Sequence, residues 1–167
     1  MDDNNNARTL GKRDILASLD REFSRLYANA CAVIEQTSVD ILYAVPEPGG
    51  ITSVSPQLPS IGESVLRGAA AIEQTFGGIT ANLWDDPFEW TLPETLSSAE
   101  LVNEYLSEVD AARQRAFRSI ASDDDLRRRI SGPWDEPRAL FTVLLETLVK
   151  ASDYHGRAVA TLKMFFQ

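Results

Sequence analysis

A chain of 167 residues has the length of one domain and at that size buries roughly 70% of its unfolded surface. With 44% hydrophobic and 25% charged residues, its composition is globular, which excludes a disordered chain. A formal charge of −9 excludes a general attraction to phosphate backbones, so nucleic acid is not an expected partner.

The start of the chain, Met1 to Asn6, is polar and acidic, with neither the positive start nor the apolar core of a signal peptide. Residues 1–10 are expected to be a flexible N-terminus of one domain spanning 1–167. No run reaches about 18 apolar residues, so no membrane span is expected, and a cytoplasmic location follows by default.

A first helix is predicted from about Lys12 to Leu42, where Ile15, Leu19, Phe23, Leu26, Ala30, Val33 and Ile41 recur mostly at steps of three and four. Within it stands the single cysteine, Cys31, which excludes a disulfide framework and reads as a small buried apolar residue. Pro46-Glu47-Pro48-Gly49-Gly50 stops the helix, and a loop rich in Pro, Ser and Gly runs on to Pro59.

Ser60 and Glu63 form a capping box for a second helix, whose apolar stripe is Ile61, Val65, Ala69, Ile72, Phe76 and Ile79. Gly77-Gly78 weakens its last turn. A second long loop, Asn82 to Leu96, carries Trp84, Phe88 and Trp90 among Asp85, Asp86 and Glu89. The aromatics suit either a lid, a partner surface or a pin that holds the loop on the domain; the acidic spacing lacks a calcium-loop pattern.

Ser97 and Glu100 form another capping box, opening a third helix to about Ala121 with Leu101, Tyr105, Val109, Ala112, Ala116 and Ile120 on one face. Asp123-Asp124-Asp125 begins a short helix, and Arg127-Arg128-Arg129 directly after it offsets its charge. Gly132-Pro133 breaks the chain again. A fourth helix then runs to about Phe165, with Leu140, Leu144, Leu148, Ala151, His155, Ala158, Leu162 and Phe165 on its stripe. Four such stripes, with no strand alternation, predict an all-α four-helix bundle with long loops between helices 1 and 2 and between helices 2 and 3.

His155, the single histidine, falls on the inward stripe of the fourth helix. Alone it forms no two-histidine metal motif, and an inward histidine is more often a hydrogen-bonded core residue than a ligand. Arg67 stands four residues after Glu63, a spacing that suits a surface ion pair; turned inward, it would instead face a pocket against the fourth helix.

Ser60-Ile61-Gly62-Glu63-Ser64-Val65-Leu66-Arg67, Pro93-Glu94-Thr95-Leu96-Ser97-Ser98, Pro133-Trp134-Asp135-Glu136-Pro137-Arg138 and Tyr154-His155-Gly156-Arg157-Ala158 together resemble, in order and pattern, the DinB-like four-helix bundle proteins. The resemblance spans most of the chain. It implies a divalent transition metal (Ni, Zn or Mn) held by one histidine on helix 2 and two spaced four apart on helix 4. The matching positions here are Arg67, Ala151 and His155, so His155 alone survives as a ligand and a permanent cation replaces the first. Glu63, Tyr154 and Trp84 are expected as neighbours of that pocket.

The resemblance therefore implies a degenerate metal site, and no cofactor is predicted. The expected function is non-catalytic or small-ligand binding, with an anion against Arg67 and His155 as one version. The alternative is a metal- or thiol-dependent S-transferase or hydrolase using a rearranged site around His155. A homodimer is the expected assembly, as in relatives of that family.

Overall fold

The computed structural model describes residues 12–46, 59–89 and 95–166. The flexible N-terminus expected for residues 1–10, most of the loop after Pro46, and Trp90 lie outside the described residues.

Helices dominate. In chain order they are α1 (Asp14–Glu35), the single turn α2 (Val39–Leu42), α3 (Ile61–Ala81), α4 (Ala99–Ser119) and α5 (Leu140–Met164). Turns of 3-10 helix occupy Pro87–Glu89 and Asp123–Arg127. The strands β1 (Arg129–Ile130) and β2 (Arg138–Ala139) form an antiparallel pair, with Arg129 opposite Ala139. That pair is absent from the sequence expectation, because two residues are too few for alternation to show.

The first predicted helix is two. Its break at Gln36 to Ser38 needs neither Gly nor Pro: Gln36 Nε2 donates to the Ala32 carbonyl at 2.8 Å and Thr37 Oγ1 donates to the Val33 carbonyl at 2.7 Å. These side chains bond back to carbonyls of the last turn of α1 beside the Gln36 and Thr37 amides, which reach Val33 and Ile34, and Ser38 turns extended with ψ 159° before α2 starts.

At the other end of α1 the cap is supplied from afar. Asp123 Oδ2 and Oδ1 accept from the amides of Ile15 and Leu16 at 3.0 and 2.9 Å, which ties the turn after α4 to the positive end of α1. Ser60 caps α3 as expected, accepting from the Glu63 amide at 3.1 Å, but the Glu63 carboxylate turns to Arg67 instead of closing the box. The α4 cap is Ser98, one residue later than expected, accepting from the Leu101 amide at 3.3 Å. Asn82, with φ 55°, ends α3 in the left-handed conformation that asparagine tolerates.

Both α1 and α3 pack against both α4 and α5, and one continuous set of buried residues draws on all four long helices. At its centre Phe23 of α1, Phe76 of α3 and Phe117 of α4 meet with ring centroids 5.3–5.9 Å apart. Two residues of the expected stripes face outward. Ile15 is 49% exposed, with Leu16 taking the inward position, and Leu101 is 37% exposed. No helix among the described residues is long and apolar enough to cross a membrane.

Candidate functional site

Small residues let α3 come close to α5. A Cβ on Gly68 would lie 3.4 Å from Tyr154 Cβ and 3.6 Å from the Ala151 carbonyl oxygen, so glycine and alanine let the two backbones near each other. Beside this approach, between α1, α3, α4 and α5, lies a cavity of about 40 Å³. Phe23, Leu26, Val65, Ile72, Leu106 and Val109 make most of its wall apolar.

Two polar atoms interrupt that wall. Ser64 is fully buried on α3, and its Oγ has no hydrogen-bond partner among the described residues. His155 on α5 lines the same cavity, and its Nδ1 is likewise buried and unpartnered. An unsatisfied buried polar atom costs about 1–3 kcal/mol, so two on one cavity are a notable cost for a fold to retain. Burial, and then the positive charge of Arg25, push the His155 pKa below its ordinary value, which keeps the imidazole neutral near pH 7. Asp110 and Arg113 of α4 also border the cavity, but they are committed to each other, with Arg113 Nη2 2.8 Å from Asp110 Oδ1. Arg113 is only 3% exposed and its other terminal nitrogen pairs with Asp20 of α1.

The three residues that the DinB-like resemblance sets at metal positions part company. Ala151 and His155 line the cavity; Arg67 does not. Arg67 Nε donates to Glu63 Oε1 at 2.9 Å, and the guanidinium carbon stands 3.9 Å from the centre of the Phe88 ring, on the outer side of α3. Glu63 is therefore a partner of Arg67 and is not on the cavity wall. Tyr154 packs near Gly68 and under the guanidinium of Arg157, 5.4 Å from its ring centre. A metal would find one donor, His155, at these positions, and no group of three His, Cys, Asp or Glu among the described residues is placed to hold an ion. The residues present do not fit the metal that the DinB resemblance implies.

Trp84 lies away from the cavity. Its ring meets Trp134, from the turn before α5, edge to face with centroids 5.0 Å apart, and its carbonyl accepts from Gln74 Nε2 at 2.7 Å. The loop after α3 is thus pinned to the turn before α5, with Asp86 Oδ1 capping the 3-10 turn through the Phe88 amide at 3.0 Å. Cys31 is half-buried, and burial raises its thiol pKa against a hydrogen bond from Tyr27 that lowers it, so the thiolate is disfavoured.

Ser64 and Arg113 are absent from the sequence expectation. For Ser64 the usable signal is a hydroxyl within a run of small and apolar residues, Ser64 to Ile72, broken only by Arg67. For Arg113 it is Asp110 three residues before and Phe117 four residues after, on a face that carries Val109 and Ala116.

No family model matches the chain, and no curated protein does. Among solved structures, the crystal structure of a conserved protein from Enterococcus faecalis superposes with a TM-score of 0.65 over 89% of this chain and 95% of that one, at 16% identity. At that identity the likeness is one of fold.

Proposed function

We propose that this chain is a DinB-like four-helix bundle that has exchanged metal chemistry for the non-catalytic binding of a small molecule in the cavity between α1, α3, α4 and α5. One observation carries the reading: the cavity wall holds two buried polar atoms, Ser64 Oγ and His155 Nδ1, that nothing among the described residues satisfies. Buried polar atoms are normally paired, and those left free over a void suit a guest that completes them. The packing of α1 and α3 each against α4 and α5 supports the bundle assignment.

The anion version of this reading loses its cation, because Arg67 is committed to Glu63 and Phe88 outside the cavity. A transferase or hydrolase of the family kind would require donors that the three matching positions do not supply. The homodimer belongs to the same proposal. Its support is an outward stripe on α5, where Phe141, Leu145 and Val149 follow one another at i, i+4 and i+8 with exposures of 39, 43 and 62%.

The test is metal analysis of tag-free protein, together with melting in the presence and absence of chelator. Substoichiometric metal and an unchanged Tm are expected. Stoichiometric nickel, zinc or manganese whose removal lowers Tm would replace this reading with the enzymatic one. Sedimentation of the parent and of a Val149→Glu variant checks the dimer, which the substitution should weaken.

A further inference from the structure

The cavity bordered by Ser64 and His155 is small, and its few polar features restrict what it can hold. At about 10–15 Å³ for each water, its 40 Å³ corresponds to roughly three or four water positions. A guest of about that many non-hydrogen atoms fits without any wall moving. Water alone leaves most of the void unfilled. Each buried water needs two to four polar partners, so the two free atoms suffice for a single water, and the six large apolar side chains from α1, α3 and α4 offer none to any further one.

Charge narrows the class further. The ionised groups on the wall are Asp110 and Arg113, and each is already engaged. Arg113 is held by Asp110 and Asp20, while Asp110 also accepts from Gln114 Nε2 at 2.7 Å. A carboxylate entering the cavity would find no free cation, and an ammonium no free carboxylate, so either ion would lose its hydration without a counter-charge. A neutral guest avoids that penalty.

The two free atoms then decide its polar group. Ser64 Oγ both donates and accepts, and His155 Nδ1 does one or the other according to tautomer. A hydroxyl is the smallest group that donates and accepts through a single atom, so it satisfies either site in either state. We infer that this cavity binds small neutral molecules bearing a hydroxyl group, the short-chain alcohols being the simplest, with the alkyl part against Phe23, Leu26, Val65 and Ile72 and the oxygen at Ser64 and His155. The inference rests on the ligand-binding reading of the same cavity and names its ligand class.

The experiment titrates the whole labelled protein with 1-propanol, propionate, propylammonium and xenon, following backbone amide resonances by NMR. 1-Propanol is expected to shift the amides of Ser64, Gly68, Ala151 and His155 saturably, with propionate and propylammonium leaving them in place at equal concentration. Ser64→Ala is expected to weaken 1-propanol about 2- to 12-fold, the range that one hydrogen bond supplies, and to leave xenon unchanged. Propionate or propylammonium bound as well as 1-propanol, or xenon bound without 1-propanol, would overturn the hydroxyl class and leave the ligand-binding reading standing. Silence from all four, xenon included, would overturn both. Should Ser64→Ala fail to fold, the parent's ranking of the four compounds decides by itself.

Discussion

Arg67 stands over Phe88, its guanidinium carbon 3.9 Å from the ring centre, and this contact makes a residue that the DinB-like resemblance would set at a metal-ligand position part of a loop anchor. Glu63 holds the other side of the same group at 2.9 Å. Both side chains of the pair are about a third exposed, so solvent screens the attraction. Arg67→Ala should therefore cost about 1 kcal/mol or less in urea unfolding and leave 1-propanol binding at the cavity unchanged. Loss of cavity binding in that variant would place Arg67 in the site after all.

The helices were legible because their apolar spacing survives any detail of packing: Leu19, Phe23, Val65, Ala69, Phe76, Val109, Leu144 and Leu162 are all buried where the period puts them. The break in α1 was not, because it depends on Gln36 and Thr37 bonding back to carbonyls, which neither side chain must do. At the site, periodicity and the i+4 spacing set Ala151 and His155 on one face, and both line the cavity, while Arg67 is left between two directions. Which direction it takes depends on Phe88, a residue 21 positions on in a loop whose path no local rule sets. Ser64 was illegible for a related reason: only the tertiary packing shows that nothing reaches its hydroxyl.

Asp123 caps α1 across 107 residues of sequence, through the Leu16 amide, with the Ile15 amide beside it. Desolvation raises its pKa, but hydrogen bonds from the Ile15, Leu16 and Asp14 amides, with the charge of Lys12, outweigh it and leave the net shift downward. A depressed carboxylate stabilises the fold fully above the unfolded aspartate value of about 3.9 and loses that contribution as pH falls through the lower folded value. Asp123→Ala should lower Tm at neutral pH and speed hydrogen exchange at the Ile15 and Leu16 amides. Against the parent, its deficit should shrink in strong acid. An unchanged exchange rate at those two amides would show that the cap contributes nothing.

Gly78 is where Trp84 enters α3. An added Cβ would stand 2.3–2.5 Å from three atoms of the indole, far inside contact distance, so the ring must leave. Alanine is intrinsically the better helix former by about 1 kcal/mol, yet Gly78→Ala is expected to destabilise by about 1–3 kcal/mol through the displaced ring and its lost contact with Trp134. In the Gly78→Ala/Trp84→Ala double variant the clash is gone, and the two losses should sum to more than the pair actually costs. Simple additivity in urea melts would mean that the ring relocates without strain.

Arg113 is the buried charge on which α1 and α4 meet. Its side chain is 4% exposed between Asp110, 10% exposed, and Asp20, 46% exposed. Arg113→Ala takes the counter-charge from the largely buried Asp110 carboxylate, leaving it Gln114 Nε2 as a neutral donor, and should cost about 3 kcal/mol, whereas Asp20→Ala, with water available to its end of the pair, should cost about 1. Arg113→Met combined with Asp110→Leu removes both buried charges and should recover most of the loss. Chemical denaturation of the three variants gives the ranking, and equal losses for Arg113→Ala and Asp20→Ala would contradict the burial argument.

His155 should make stability depend on pH just below neutrality. Burial first, and then Arg25 of α1, disfavour its protonated form; facing it on the same cavity are Asp110 and Arg113 of α4, which are paired with each other, Arg113 with Asp20 of α1 as well, and Tyr27 of α1. A histidine with a folded pKa below the ordinary value of about 6.5 contributes fully above that value, because the unfolded chain takes up the proton first. Stability should thus fall as pH drops below about 6.5 and stop falling from this source once pH passes the lower folded value. His155→Gln should flatten that segment of the Tm–pH curve. Occupancy by an alcohol should deepen it, because a guest that bonds neutral Nδ1 as an acceptor lowers the folded pKa further. An NMR titration of the imidazole, with and without saturating 1-propanol, measures both effects, and an upward shift on binding would mean that the guest accepts from a protonated ring instead.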